Sequence, residues 1–279
     1  MIQDIGPYVY KNSYCPVPPG RESYILIYKN GKVLLKEEEG KIKFPQFKEL
    51  EDQNEHLYKK YIYLFSIDQS TFYIVDHVKY DGLKDYHLET IQSFRRMQPL
   101  QLSFAGITGY QLYNWYQSRK FCGKCGRRMI HDQKERMVKC PVCGQMEYPK
   151  ICPAVIVGIT NGNKLLMSKY ASKDFKKYAL IAGFAEIGET IEETVKREVM
   201  EEVGLKVKNL KFYKSQPWSF TDTLLFGFYA ELDGSDQIVL DEEELSFAEW
   251  FERDEIPVWE KSVSLTNEMI LNFKNNKMQ

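Results

Sequence analysis

Apolar positions in the first 118 residues fall in short runs rich in Ile, Val, Tyr and Phe, the composition of strands. ESYILIY (22–28) and KVLLK (32–36) flank Lys29-Asn30-Gly31, a hairpin signature. YIYLFSI (61–67) and TFYIVD (71–76) flank a second tight connection. Residues 85–98 and 105–119 read as helices, the second carrying Tyr110, Leu112, Tyr113, Trp115 and Tyr116, while residues 1–20 are Pro-rich and irregular. The pattern predicts an N-terminal α+β domain over 1–118. It holds no motif with chemistry of its own, and its aromatics suit a core or an interface.

Beyond residue 150 the pattern changes. AVIVGIT (154–160) is a continuous apolar run of the kind buried on both faces; Asn161-Gly162-Asn163 turns it back into KLLMSK (164–169). Ile191, Val195, Val199 and Val203 recur every four residues and predict an amphipathic helix over 190–203. LKFYKSQPWSF and TLLFGFYAEL read as two further strands around a loop, and a last helix is predicted over 262–274. The chain therefore divides into 1–118, a short segment 119–150, and 151–279.

Hydrophobic and charged fractions of 43% and 28% are those of a globular protein. No run of about 18 apolar residues suggests a membrane span, and the N-terminus lacks a basic start followed by an apolar stretch, so a cytoplasmic protein without membrane partners is expected. A net charge of −1 hides an uneven distribution. Residues 119–150 carry nine Lys or Arg against three Asp or Glu, whereas 186–202 carry seven Glu against one Lys and one Arg. Such neighbouring blocks suit phosphate binding on one surface and cation binding on another; two solvated faces would give the same pattern.

Four of the six cysteines form two CxxC pairs, Cys122/Cys125 and Cys140/Cys143, fourteen residues apart. Two such knuckles complete a tetrahedral Cys₄ site, and Gly126 and Gly144 follow each pair where the backbone must turn. With all four positions filled, the site reads as structural zinc, one ion per chain. Paired knuckles argue against a redox CxxC, and free thiols beside a metal site suit a reducing compartment better than a disulfide framework does.

On the helix over 190–203, Glu198, Glu201 and Glu202 stand at i, i+3 and i+4 and share one face. Carboxylates at that density repel one another unless a cation lies among them, and hard oxygen ligands suit Mg²⁺ or Mn²⁺. As charge pattern alone, a solvated acidic face explains them equally well. The whole segment Gly183–Leu205, however, matches G-x₅-E-x₇-R-E-U-x-E-E-x-G-U without a gap (U, bulky aliphatic) and so resembles the Nudix box. That resemblance implies an α/β/α sandwich with a mixed sheet and hydrolysis of a nucleoside diphosphate linked to another group. It makes Glu198, Glu201 and Glu202 metal ligands, Glu189 a further acid near the metals, and Arg197 the residue that orients a glutamate.

A Cys₄ ribbon ahead of the box, and Ser215-Gln216-Pro217-Trp218-Ser219-Phe220-Thr221-Asp222-Thr223 after it, resemble the NADH pyrophosphatase, or NAD-capped RNA hydrolase, family. The family pattern S-Q-P-W-P-F-P-x-S departs here at Ser219 and Thr221, which replace prolines and leave the loop freer. The resemblance implies that Phe184 stacks on nicotinamide, that Tyr148 and Glu135 complete the pocket together with Gln216 and Trp218, and that Glu244 is a distant fourth carboxylate on the metals, with Glu242 and Glu243 as alternative registers. It also implies a homodimer and hydrolysis of NADH or NAD⁺ to a nicotinamide mononucleotide and AMP, with the NAD cap of an RNA as a related substrate. A zinc-ribbon nucleic-acid-binding regulator with an inactive Nudix domain, or an enzyme for ADP-ribose or dinucleoside polyphosphates, are the alternatives.

Overall fold

The computed structural model describes residues 1–171, 178–257 and 263–277. They form two compact units, one of Met1, 151–218 and 222–279, the other of 2–150 and 219–221. Among the described residues no helix is long and apolar enough to cross a membrane.

The first unit is built on a mixed sheet whose central strand, Cys152–Asn161, runs parallel to Thr223–Leu232 and antiparallel to both Lys164–Tyr170 and Ile181–Phe184. Val207–Trp218 and Leu245–Glu252 close its two edges, both antiparallel to their neighbours. The central strand is buried on both faces because its side chains alternate between two cores. Val155, Val157 and Ile159 pack with Val195, Val199 and Val203 of the helix Ile191–Val203. Ile156, with Leu165 and Met167, packs on the other side with Leu265, Met269, Ile270 and Phe273 of the helix Leu265–Lys274. This is the expected α/β/α sandwich, and the continuous apolar run over 154–160 is its sequence signature.

The glutamate helix starts and stops where its chemistry dictates. The Thr190 hydroxyl accepts a hydrogen bond from the Glu193 amide at 3.2 Å, while the Glu193 carboxylate accepts from the Thr190 amide at 2.8 Å. This reciprocal box satisfies two amides that have no partner inside the helix. At the other end Gly204 takes a left-handed conformation, φ 67°, and its amide donates to the Met200 carbonyl. The last helix begins at Leu265 under a Ser264 cap; position 262, where the sequence suggested its start, lies outside the described residues.

In the second unit the two predicted hairpins form. Tyr28–Lys29 pairs with the start of Lys32–Glu38 around Asn30 and Gly31, both at positive φ, and Ile62–Ile67 pairs with Ser70–Ile74. The helix predicted over 105–119 begins earlier, at Leu100, and runs to Ser118. The irregular N-terminus contributes one short strand, Tyr10–Lys11, against Ser66–Ile67. The helix expected over 85–98 is not there. His87–Thr90 is a strand pairing with Lys32–Leu35, followed by a 3₁₀ turn over Ile91–Arg95 that the Thr90 hydroxyl caps. Strand pairing supplied by a segment fifty residues away overrides the weak local helical preference. Residues 119–150 fold as a three-stranded antiparallel sheet of Ile130–His131, Val138–Lys139 and Met146–Glu147.

Phe273 is fully buried in the core under the last helix, with the Arg253 guanidinium 4.0 Å from its ring. Phe273→Ala is expected to lower unfolding stability by about 3–5 kcal/mol, the range for a truncated core aromatic. Urea denaturation checks this, and a change under about 1 kcal/mol would mean the C-terminal helix is not part of the cooperative core.

Candidate active site

The strand Ile181–Phe184 delivers the backbone against which the glutamate helix packs. A side chain at Gly183 would place its Cβ 1.9 Å from the Glu198 carboxyl carbon, so only glycine allows that carboxylate to lie on the strand. One residue earlier, the Ala182 amide donates to Glu202 Oε1 at 3.3 Å. Glu198 and Glu202, one helical turn apart, are thus both buried, 8% and 2% exposed. The second Glu202 oxygen is buried without a hydrogen-bond partner among the described residues. An ionised carboxylate in that position is costly unless a cation answers it.

Arg197 organises the rest. Its Nε donates to Glu189 Oε1 at 2.5 Å and its Nη2 to Glu189 Oε2 at 3.0 Å. Nη1 donates to both Glu198 Oε1, at 2.8 Å, and Glu201 Oε2, at 2.7 Å, and Nη2 also reaches the Phe184 carbonyl at 2.8 Å. The fork geometry of a guanidinium makes this possible; a lysine could not hold three carboxylates and a carbonyl in one plane. Glu189 in turn ties the loop, accepting from the Glu186 amide and the Thr194 hydroxyl.

The electrostatics divide the carboxylates into two groups. The Arg197 guanidinium holds Glu189 down to about 2. Burial first, then the Glu198 and Glu244 charges, push Glu202 up to about 8; burial also raises Glu198, against the pull of Arg197. The Glu244 charge adds to the raising of both, behind burial. Its segment is fastened to the helix end by the Asp241 amide, which donates to the Glu202 carbonyl at 3.0 Å. Tyr170, which the sequence did not single out, is buried beside the same charges, and burial followed by Glu202 and Glu244 raises its hydroxyl to about 12. Glu198 and Glu202 offer hard oxygen donors of the kind that suit a divalent cation, but no group of three carboxylates lies close enough together among the described residues to form a cation site as it stands.

The other expected site residues are distributed differently. Glu201 shares the helix face with Glu198 and Glu202 only in part: its side chain is 57% exposed and turned onto Arg197. Phe184 is 54% exposed at the end of its strand, open to a stacking partner. Gln216 is fully buried, donating to the Val263 carbonyl and accepting from the Leu265 amide. Both ends of its amide contact the entry to the last helix. Trp218 is partly exposed at the end of the same strand. In the second unit, Tyr148 and Glu135 meet directly, the tyrosine hydroxyl donating to Glu135 Oε2 at 2.6 Å.

Also in the second unit, the four cysteine sulfurs lie within 4.8 Å of one another, the one group of three or more potential ligands found that close together among the described residues. Sγ–Sγ separations of 3.5 Å for Cys122–Cys143 and for Cys125–Cys140 suit the edges of a tetrahedron around one ion. The Cys143 amide points at Cys140 Sγ and leads the contributions that lower that thiol to about 6, and the Lys124 amide points at Cys122 Sγ. Gly126 and Gly144, at φ 71° and 76°, make the turns that aim these knuckles.

The NUDIX domain profile matches residues 150–269. The chain is 43% identical over 150 residues to a protein of Shigella flexneri named NAD-capped RNA hydrolase NudC, and 42% identical over the same length to that of Escherichia coli strain K12 / DH10B. Each match covers 54% of this chain and 58% of the relative, so the chain spans a little over half the length of the curated relatives it matches. Among solved structures, a NUDIX hydrolase from Nitrosomonas europaea is similar at 24% identity over 57% of this chain and 92% of that one, with a TM-score of 0.49.

The burial of Glu202 carries a stability consequence. A carboxyl whose folded pKa is raised from the ordinary value of 4.5 to about 8 loses stability as pH climbs between those values, because ionisation is harder in the folded state. Without added divalent cations, Glu202→Gln is therefore expected to raise Tm by several degrees near pH 9 and to change it little near pH 5. Thermal melts across pH check this; a Tm difference independent of pH would contradict it.

Proposed function

We propose that this chain is a Nudix hydrolase, as the domain match over residues 150–269 supports, and that it hydrolyses the pyrophosphate of NADH or NAD⁺ to a nicotinamide mononucleotide and AMP. The observation that carries the reading is the pair of buried carboxylates, Glu198 and Glu202, seated on the glycine strand with one oxygen unanswered. Glu198 and Glu202 would hold Mg²⁺ or Mn²⁺, with Glu201 and Glu244 as further candidate ligands. When bound, such cations neutralise the diphosphate and lower the pKa of water toward a usable nucleophile. Water attacks one phosphorus, the bridging P–O bond breaks, and a carboxylate of the cluster takes the proton. Arg197 keeps Glu198 and Glu201 in place, and its grip on Glu189 fixes the loop that ends in Phe184. Phe184 stacks on the nicotinamide; Trp218, Tyr148 and Glu135 are further candidates for contact with the substrate.

The cysteines hold one structural zinc, whose filled coordination leaves no position for substrate. We place the protein in the cytoplasm, where thiols stay reduced, and as a homodimer. The relatives' name supports a second substrate, the 5′ NAD cap of an RNA. The basic surface fits it: Lys120 and Arg128 line a shallow cleft with Arg119 and have no carboxylate partner among the described residues.

Products from NADH, NAD⁺, ADP-ribose, diadenosine polyphosphates and NAD-capped RNA, each with Mg²⁺ or Mn²⁺, test the reading. Release of AMP and nicotinamide mononucleotide, with Glu202→Gln slower by roughly a hundredfold or more, is expected. Preferential cleavage of ADP-ribose, or no turnover of any substrate, would favour the alternative enzyme or the inactive regulator. Elemental analysis should find one zinc per chain, and light scattering a dimer; an active monomer would remove the dimer from the account.

A further inference from the structure

The loop that carries Glu135 is held from both sides. On its own side, Asp132 Oδ1 accepts from the Lys134 amide at 2.7 Å and the Glu135 amide at 2.9 Å, a compact turn closed by the Glu135 carbonyl, which accepts from the Met137 amide at 2.8 Å. On the other side, the next residue, Arg136, reaches out of the ribbon to the N-terminal segment. Its Nη2 donates to the Asn12 carbonyl at 3.2 Å and to Asn12 Oδ1 at 3.3 Å, and its guanidinium lies 5.2 Å from the Tyr14 ring centroid. The Tyr14 hydroxyl returns the contact, donating to the Asp132 carbonyl at 3.3 Å. Arg136 Nη1 is buried with no hydrogen-bond partner, so the guanidinium is committed to this place by packing and cation–π attraction on top of its two bonds. Nothing in these contacts involves the cysteines, and a ribbon needing only to fold round an ion has no use for them.

We propose that Arg136 is a positioning residue, and that the N-terminal strap of Asn12 and Tyr14 acts through it to set the Glu135–Tyr148 pair for the nicotinamide end of the substrate. The proposal rests on the reading that this pair touches the dinucleotide. Its physical content is preorganisation. Glu135 accepts the Tyr148 hydroxyl at 2.6 Å although both side chains are exposed, and an exposed hydrogen bond of that kind keeps one geometry only when its loop is fixed. The N-terminal domain, which has no catalytic motif, thereby acquires a role in substrate selection.

The test uses full-length protein with its zinc content verified. Variants are Arg136→Ala, Arg136→Lys, Tyr14→Phe and Tyr148→Phe, with Arg136→Ala/Tyr148→Phe as the double variant. Hydrogen exchange should quicken at Lys134 and Glu135 in Arg136→Ala, and less in Tyr14→Phe, with melting temperature and exchange of the ribbon strands preserved. KM for NADH should rise roughly tenfold in Arg136→Ala with kcat within about twofold, be partly restored in Arg136→Lys, and rise no further in the double variant than in Tyr148→Phe. Unchanged exchange at Lys134 and Glu135 overturns the clamp. Quickened exchange with unchanged KM overturns its positioning role. If Tyr148→Phe itself leaves KM unchanged while wild type turns over NADH, the assignment of the pair to the pocket falls, and the positioning role with it. A fall in kcat and zinc content together would make Arg136 a folding residue only, and would also overturn the proposal.

Discussion

Two carboxylates on one helix are pressed into a sheet where water cannot answer them, and the surrounding sequence is arranged to permit it. Glu198 can lie on the strand because residue 183 has no side chain; the Ala182 amide donates to one Glu202 oxygen and the other has no partner among the described residues. The segment that carries Glu244 is fastened to the helix end by the Asp241 amide, which donates to the Glu202 carbonyl. The arrangement accumulates charge where desolvation is expensive, the opposite of what stability alone would select. That is the sign of a site kept for a cation.

Arg197 reconciles this concentration of charge with a stable fold. By contacting Glu189, Glu198, Glu201 and the Phe184 carbonyl, it couples the loop carrying the aromatic to the helix carrying the acids. The spacing between that aromatic and those acids is thus fixed by one guanidinium. Gln216 does related work at the other end of the unit, where its amide fastens a sheet strand to the start of the last helix.

Much of this was legible in the sequence. The turns at Asn30-Gly31 and Asn161-Gly162, the both-faces-buried run over 154–160 and the four-residue stripe of the glutamate helix each announce a local geometry with a single cheap solution. The two CxxC knuckles do the same for the ribbon. The helix expected over 85–98 failed because its real partner, Lys32–Leu35, is remote in sequence and the segment has no strong propensity to resist pairing. The burial of Gln216 could not be read from its motif, which says that a residue is required, not which way its side chain faces. Glu201 could not be distinguished from Glu198 and Glu202 by helical spacing; its outward turn depends on where Arg197 settles. Tyr170 carried no pattern and emerges only from burial beside the acids.

The claim at the centre is that Glu198 and Glu202 hold a divalent cation at the site of pyrophosphate cleavage. Titrating Mn²⁺ into wild type and into Glu202→Gln, with free Mn²⁺ followed by electron paramagnetic resonance, addresses it without relying on turnover. The account predicts saturable loss of the free-ion signal in wild type, strengthened by a dinucleotide, and markedly weaker binding in the variant. Equal Mn²⁺ affinity in the two proteins would contradict it.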